Sequence, residues 1–219
     1  MKLSILILTH NRPKLFKRCI ESVLACKIPL GVEVIVNNDS NDINEIYDPI
    51  VPISYYYRQD SDLSNLYKFL FNQSRSEFVY FLEDDDYIKR NFFDGLDFES
   101  DINYLEYISE PLIAELGPYC AYKRTVKSNR HLLEVTNLSK FLIEYNPRDF
   151  QLGQILFRKS LIKSFPVGNN INNDIELFHS LQPATIKYII GERWVQTTSG
   201  SDNISFHTYN KDDRFYQAI

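Results

Sequence analysis

The chain has 219 residues, of which 44% are hydrophobic and 14% aromatic, so it can bury a core and is not intrinsically disordered. Its formal net charge of −5 argues against nucleic-acid binding driven by the charge of the whole surface. The three cysteines form no CxxC pair and no apolar stretch approaches the length of a membrane span, so we expect reduced thiols and a cytoplasmic protein without membrane insertion.

The first ninety residues alternate predicted strands with predicted helices. Short apolar runs predict strands at residues 3–8, 32–36, 53–57 and 77–82. Apolar residues at helical spacing predict helices that begin at Pro13 and at Leu63. This alternation favours an α/β fold in which ligands bind beyond the carboxyl ends of the strands.

The second half of the chain gives weaker patterns. Residues 87–150 show one convincing helical segment, at residues 132–145. Later patterns predict a strand at 152–157, a short helix at 175–181 and a strand at 185–190. With no repeat and no linker signal, we expect a single domain over residues 1–219.

Four consecutive carboxylates, Glu83 to Asp86, follow the predicted strand at residues 77–82. Their mutual repulsion predicts either raised pKa values or neutralisation by a divalent cation. Carboxylate oxygens at this density suit Mg²⁺ or Mn²⁺. A solvated acidic turn is the alternative that needs no ligand.

Three segments, in this order, resemble the inverting nucleotide-sugar glycosyltransferases of family 2. They are LSILILTHNRPKLFKRCIESVL, VEVIVNNDSND and FVYFLEDDDY. The resemblance implies a GT-A (Rossmann-like) fold, with a mixed, mostly parallel central sheet flanked by helices. It also implies that residues 1–90 bind the nucleotide-sugar and that residues 91–219 bind the acceptor and carry the catalytic base.

The resemblance also implies the residues of the donor site. Asp85 would bind Mn²⁺ or Mg²⁺ directly, with Asp86 as a further metal ligand. His207 lies several residues after the position where the family sometimes has a histidine ligand, and it would bind the metal or contact a phosphate. Glu83 would reach the donor ribose or a metal-bound water. The residues expected to bind the nucleotide-sugar, with a UDP-sugar favoured, are Thr9, His10, Arg12, Asn38, Asp60, Ser64, Lys68, Glu83 and Asp84.

Two departures from the family pattern bear on the donor. Asn37 and Asn38 stand where the family usually has two aspartates, and an asparagine amide offers both a donor and an acceptor to a base. Tyr67 and Lys68 stand where the family often has an Arg-Asn pair. Lys68 either replaces the lost positive charge or is a surface lysine.

The family takes its general base from an acidic pair that opens a helix in the second half of the chain, and NNDIELFHSL is the segment that resembles it. We therefore expect Asp174 to accept the proton of the acceptor hydroxyl group, with Glu176 as the second choice. The alternative role for Asp174 is an N-cap or first-turn carboxylate that stabilises the helix.

The segment at residues 119–131 is the one strongly basic patch of the sequence. It is either a solvated loop or a binding site for an anionic acceptor: an acidic glycan, a phosphorylated carrier, or nucleic acid such as DNA with a hydroxymethylated base. A flipped base would be needed for the DNA acceptor. The cationic residues of the patch are Lys123, Arg124, Lys127 and Arg130.

Two other functions remain open from the sequence. A nucleotidyltransferase would also use paired acids, but it typically has a glycine-rich phosphate loop near its first strand, and this chain has no glycine before Gly31. A non-catalytic nucleotide- or glycan-binding module derived from a glycosyltransferase would explain the replacements at Asn37, Asn38 and Tyr67. Donor turnover separates such a module from an enzyme.

Overall fold

A computed structural model describes residues 2–40, 45–111, 152–163, 165 and 185–198. Within these ranges the polypeptide forms two α-helices, α1 (Pro13–Leu24) and α2 (Leu63–Gln73). Short 3₁₀ helices span Leu152–Gln154 and Lys159–Leu161. The strands are β1 (Leu3–Thr9), β2 (Val32–Asn38), β3 (Ile53–Tyr56), β4 (Phe78–Glu83), β5 (Tyr87–Ile88), β6 (Ile102–Pro111), β7 (Ile155–Arg158) and β8 (Ile186–Thr198).

These strands form one sheet in the order β3-β2-β1-β4-β7-β6-β8-β5. Pairing is parallel between β1 and β2, β1 and β4, β2 and β3, and β6 and β8. It is antiparallel between β4 and β7, β6 and β7, and β5 and β8. The predicted α/β fold with a mixed, mostly parallel sheet is therefore confirmed.

Both faces of the central strands are buried, which explains their nearly continuous apolar runs. On one face, Ile5 and Tyr80 belong to a core cluster that also contains Phe16 of α1. On the other face, Leu6 and Phe81 belong to a cluster that also contains residues of α2. Neighbouring residues in a strand point to opposite faces, so the two helices cover opposite sides of the sheet.

The strand predicted at residues 152–157 is wrong at its start, because Leu152–Gln154 form a 3₁₀ turn before β7. Strand β8 extends well beyond the predicted residues 185–190. Gly191, at φ 90°, lies where the register between β6 and β8 shifts, and this irregularity interrupts the apolar pattern. The helices predicted at residues 132–145 and 175–181 lie outside the described residues.

Two further expectations concern thiols and membranes. Cys19 and Cys26 are free and buried, and Cys120 lies outside the described residues, so the reduced state of the thiols stays a prediction. Of the helices described, none is long and apolar enough to cross a membrane.

Candidate active site

The carboxyl ends of β1, β2 and β4 lie at one edge of the sheet. Thr9, the last residue of β1, is in register with Asn38 at the end of β2, and Leu8 is in register with Glu83 at the end of β4. Parallel pairing thus brings together three polar segments that are far apart in the sequence. This is the edge at which α/β sheets bind ligands.

The acidic segment after β4 forms a compact cluster of oxygen ligands. One carboxylate oxygen each from Glu83, Asp85 and Asp86 lies within 4.8 Å of the other two. Glu83 is exposed, whereas Asp85 and Asp86 are buried. Three carboxylates at this spacing fit a hard divalent cation such as Mg²⁺ or Mn²⁺.

Two arginines contact this cluster: Arg12, the N-cap residue of α1, and Arg18, in the second turn of the helix. The Nη1 atom of Arg12 donates to Asp84 Oδ1 at 3.0 Å and to Asp85 Oδ2 at 3.1 Å. Arg18 donates through Nη2 to the backbone oxygen of Asp85 and, at 2.8 Å, to Thr197 Oγ1. Arg12 therefore compensates part of the negative charge, and Arg18 connects the acidic segment to the end of β8.

Burial raises the pKa of each aspartate in the cluster. The pKa of Asp84 rises to about 6, because burial outweighs the opposing attraction of Arg12. Burial raises the pKa of Asp85 as well, again against Arg12, and raises that of Asp86 strongly, with further increases from Asp85 and Glu83. A bound divalent cation would favour the ionised form of all three groups.

Asp86 is held by β8 through two hydrogen bonds. Trp194 Nε1 donates to Asp86 Oδ2 at 3.0 Å, and the backbone N–H of Thr197 donates to Asp86 Oδ1 at 2.8 Å. Each carboxylate oxygen retains a lone pair for another contact. Gly153 lies directly against the Trp194 ring, where an added Cβ would be 2.5 Å from Cε2. The position of Asp86 therefore depends on the packing of Trp194.

The loops after β1 and β2 are joined by side-chain contacts. Asp39 Oδ1 lies 2.5 Å from His10 Nδ1, and His10 Nε2 lies 2.8 Å from the side-chain amide nitrogen, Nδ2, of Asn11. These partners fit one tautomer, in which Nδ1–H donates to Asp39 and Nε2 accepts from Asn11. The backbone N–H of Asn11, which has φ 51°, donates to Ser40 Oγ at 2.9 Å. His10 is thus fixed beside the end of β2.

Asn37 and Asn38 are both fully buried, but their amides have different partners. Asn37 Nδ2 donates to the backbone oxygen of Arg58 at 2.9 Å, and its Oδ1 accepts from the N–H of Arg58 at 3.0 Å. Asn38 Oδ1 accepts from the N–H and the hydroxyl group of Ser40. Because a backbone N–H can only donate, the Ser40 contact fixes which end of the Asn38 amide is the oxygen.

Buried polar atoms without a partner concentrate at this edge. In the described ranges they include Thr9 Oγ1, Asn38 Nδ2, Asp84 Oδ2 and Arg18 Nε. Buried polar atoms in folded proteins are nearly always hydrogen-bonded, so each exception needs an explanation. A polar ligand at the edge would supply the missing partners.

Other predicted donor residues have structural roles in the described part of the chain. Asp60 accepts a hydrogen bond from the backbone N–H of Asp62, and this bond is the main cause of the lowered pKa of Asp60. Asp62 in turn caps α2 by accepting from the backbone N–H of Ser64. Lys68 is exposed on α2, and the adjacent Tyr67 packs edge-on against Phe81. No ion pair joins Lys68 to the acidic cluster within the described ranges.

The remaining predicted residues lie outside the described residues. They are the base candidates Asp174 and Glu176, the metal-ligand candidate His207, and the basic-patch residues Lys123, Arg124, Lys127 and Arg130. Their roles stay predictions.

Arg18, Gly153, Trp194 and Thr197 were not predicted from the sequence. The one sequence feature that could have pointed to Trp194 is that it is the single tryptophan of the chain.

Comparisons with known proteins agree with this geometry. Residues 4–96 match the family model described as "Glycosyl transferase family 2". No curated protein sequence matches the chain at a significant level. The matched residues run from the second residue of β1 through β5 and contain the whole acidic segment.

Crystal structures of TarS from S. aureus are similar to the described fold. TarS 1-349 is 17% identical at a TM-score of 0.61, and the similarity covers 90% of this chain and 60% of that chain. Its complex with UDP-GlcNAc is 17% identical at a TM-score of 0.60, over 94% and 61% of the two chains. Its complex with UDP is 18% identical at a TM-score of 0.57, over 91% and 61%. The chain thus spans about three fifths of TarS 1-349, and at this identity the similarity establishes the fold.

Proposed function

We propose that this protein, whose residues 4–96 match the model of glycosyl transferase family 2, transfers a sugar from a UDP-sugar to an acceptor hydroxyl group in a metal-dependent, inverting reaction. The observation that carries the proposal is the carboxylate cluster of Glu83, Asp85 and Asp86, which lies beside unpaired buried polar atoms at the carboxyl edge of the sheet. The UDP-GlcNAc and UDP complexes of the similar S. aureus TarS 1-349 support UDP as the donor nucleotide.

Asp85 and Asp86 would hold Mn²⁺ or Mg²⁺, with Glu83 at the exposed side of the cluster. The metal would stabilise the negative charge that develops on the departing diphosphate. Trp194 and the backbone of Thr197 keep Asp86 in place through their hydrogen bonds. Glu83 would reach the donor ribose or a metal-bound water.

Thr9, His10 and Asn38 would bind the nucleoside. The free end of the Asn38 amide is a donor, because its oxygen is occupied by Ser40. It therefore suits an acceptor atom, such as a carbonyl oxygen of uracil, better than the N3–H group. Such a contact would satisfy the buried Nδ2 atom.

We assign the general base to Asp174, which would take the proton of the attacking hydroxyl group. Residues 91–219 would bind the acceptor, a glycan or a hydroxymethylated DNA base. In this proposal the phosphate or acidic groups of the acceptor contact the basic patch of Lys123, Arg124, Lys127 and Arg130. The free thiols of Cys19 and Cys26 favour a reducing compartment, so we place the reaction in the cytoplasm.

Donor turnover tests this proposal directly. The protein is incubated with UDP-, GDP- and dTDP-sugars and Mn²⁺, Mg²⁺ or EDTA, while released nucleoside diphosphate and donor binding are both followed. We expect metal-dependent binding of a UDP-sugar, with turnover once an acceptor is present. Absence of binding to every donor in the panel would overturn the proposal.

Two substitutions separate the assigned roles. Asp85→Asn should abolish metal-dependent UDP binding, whereas Asp174→Asn should retain binding and lower the transfer rate by at least about a hundredfold. Asp94→Asn, which removes an exposed charge, is the matched control and should change neither property. An unchanged transfer rate in Asp174→Asn would show that another group is the base.

A further inference from the structure

Arg12 already occupies the acidic cluster as a cation. Its Nη1 atom lies between Asp84 Oδ1 and Asp85 Oδ2, at 3.0 and 3.1 Å. The side chains of these three residues are 16%, 6% and 12% exposed, so the ion pairs are largely shielded from water. Shielding strengthens the attraction between the opposite charges.

Because of these contacts, Arg12 and a divalent cation would compete for the Asp85 carboxylate. Asp85 is the carboxylate that the ion would share with Arg12, and both cations would lie within a few ångströms of each other in a site largely shielded from water. Repulsion between like charges at such a distance is strong where water is excluded. Asp85 is therefore expected to bind either the Arg12 guanidinium group or the divalent cation, but not both at once.

We propose that Arg12 is a built-in counter-ion of the metal site, and that a divalent cation binds Asp85 by displacing the Arg12 guanidinium group. Arg12 is the N-cap residue of α1, and its side chain makes no capping hydrogen bond to that helix. In the absence of metal, its ion pairs keep the clustered carboxylates from repelling one another without compensation.

Displacement has a consequence for the donor, and this step rests on the proposed function. A guanidinium group released from Asp85 is available to the diphosphate, since arginine forms strong, charge-assisted hydrogen bonds with phosphate oxygens. UDP would then draw Arg12 away from the cluster, and the metal would bind more tightly. Metal and UDP are therefore coupled, each strengthening the binding of the other.

Mn²⁺ binding in the absence of nucleotide tests the displacement. It is measured by calorimetry and by the fluorescence of Trp194, the single tryptophan, whose indole N–H donates to Asp86. We expect Arg12→Gln to bind Mn²⁺ about tenfold more tightly than the wild type, because no arginine has to be displaced. Arg12→Lys, which keeps the charge, should lie between the two. Thermal unfolding of each metal-free variant verifies that it is folded.

The control is Lys17→Gln, which removes the same charge from the exposed side of α1, where Lys17 pairs with Glu21. It should change Mn²⁺ affinity less than about twofold, because an exposed charge is screened. The proposal is overturned if Arg12→Gln binds Mn²⁺ no more tightly than the wild type, including the case in which neither binds it. An equal gain in Lys17→Gln would overturn it as well, since it would show an effect of net charge.

UDP gives a separate readout. In the wild type, saturating UDP should tighten Mn²⁺ binding, and Arg12→Gln should lose most of this gain. If UDP binds neither protein while Arg12→Gln still binds Mn²⁺ more tightly, the displacement stands and the proposed function is wrong. If UDP binds and Arg12→Gln leaves the Mn²⁺ affinity unchanged, the displacement is wrong and the proposed function stands.

Discussion

Replacing Asn37 by aspartate should destabilise the protein, although the two side chains have nearly the same shape. Asn37 is fully buried and pairs with the backbone of Arg58 like a neighbouring strand, donating at 2.9 Å and accepting at 3.0 Å. An ionised aspartate keeps the acceptor but loses the donor. Its second oxygen would then face the carbonyl oxygen of Arg58.

The cost can be worked out from these two contacts. The hydrogen bond from Asn37 Nδ2 is worth about 1 kcal/mol, and leaving two buried acceptors face to face costs about 2 kcal/mol more. The free energy of unfolding of Asn37→Asp should therefore fall by about 3 kcal/mol at neutral pH. In a chain of this size, such a change lowers Tm by about 10 °C.

Thermal unfolding followed by circular dichroism between pH 3 and pH 8 gives the test. Burial and the facing carbonyl raise the pKa of the introduced carboxyl group above its unfolded value. The deficit should be complete at pH values above the raised pKa. It should shrink as the pH falls towards the unfolded pKa, because the protonated group can again donate to Arg58.

Asn38→Asp is the matched control, since Asn38 is also fully buried and adjacent in the sequence. Its Oδ1 accepts two bonds from Ser40, which an aspartate retains, and its Nδ2 has no partner in the described ranges. Burial of the introduced charge is common to both variants, so we expect Asn38→Asp to lose less stability than Asn37→Asp, by about the cost of the two Arg58 contacts. Equal losses in the two variants, or a loss in Asn37→Asp that does not depend on pH, would refute the argument.

Two further predictions concern the acidic site. Gly153→Ala should destabilise the protein by about 2 kcal/mol, because the added Cβ would lie 2.5 Å from the fully buried ring of Trp194. Chemical denaturation followed by Trp194 fluorescence measures this loss. An unchanged denaturation midpoint would contradict the close packing of Gly153 against Trp194. The metal-free protein should lose about 3 kcal/mol of stability as the pH rises from about 3 to about 7, because the pKa of Asp84 is raised from 3.8 to about 6 and the folded state therefore binds its proton more tightly than the unfolded state does. Asp84→Asn should lack this part of the pH dependence in EDTA, and a profile identical to that of the wild type would contradict it.

The elements of the donor half could be predicted because their apolar patterns are local. Residues in β1, β2 and β4 are buried on both faces, so their sequences are almost continuously apolar. Helices α1 and α2 bury one face each and show helical spacing. Since parallel strands end at one edge, the grouping of Thr9, Asn38 and the acidic segment also followed from the sequence.

Strand β6 could not be predicted, because polar residues interrupt its pattern. Asn103 is fully buried in it, and its amide pairs with the backbone of Asp97. Glu106 lies at the register shift opposite β8 and accepts from the backbone N–H of Gly191. From the sequence alone, a buried polar side chain that is hydrogen-bonded to the backbone of another segment cannot be told from a surface residue.

Sequence by itself determined which residues form the sheet edge and that negative charge collects there. Only the tertiary structure decided the partners of those residues: Arg12 for Asp84 and Asp85, Trp194 for Asp86, and the backbone of Arg58 for Asn37. The pairs with Arg12 and Trp194 join residues 72 to 108 positions apart. Burial of a local face leaves a periodic trace in the sequence, whereas a hydrogen-bond partner is set by the register of strands that meet only after the chain has folded.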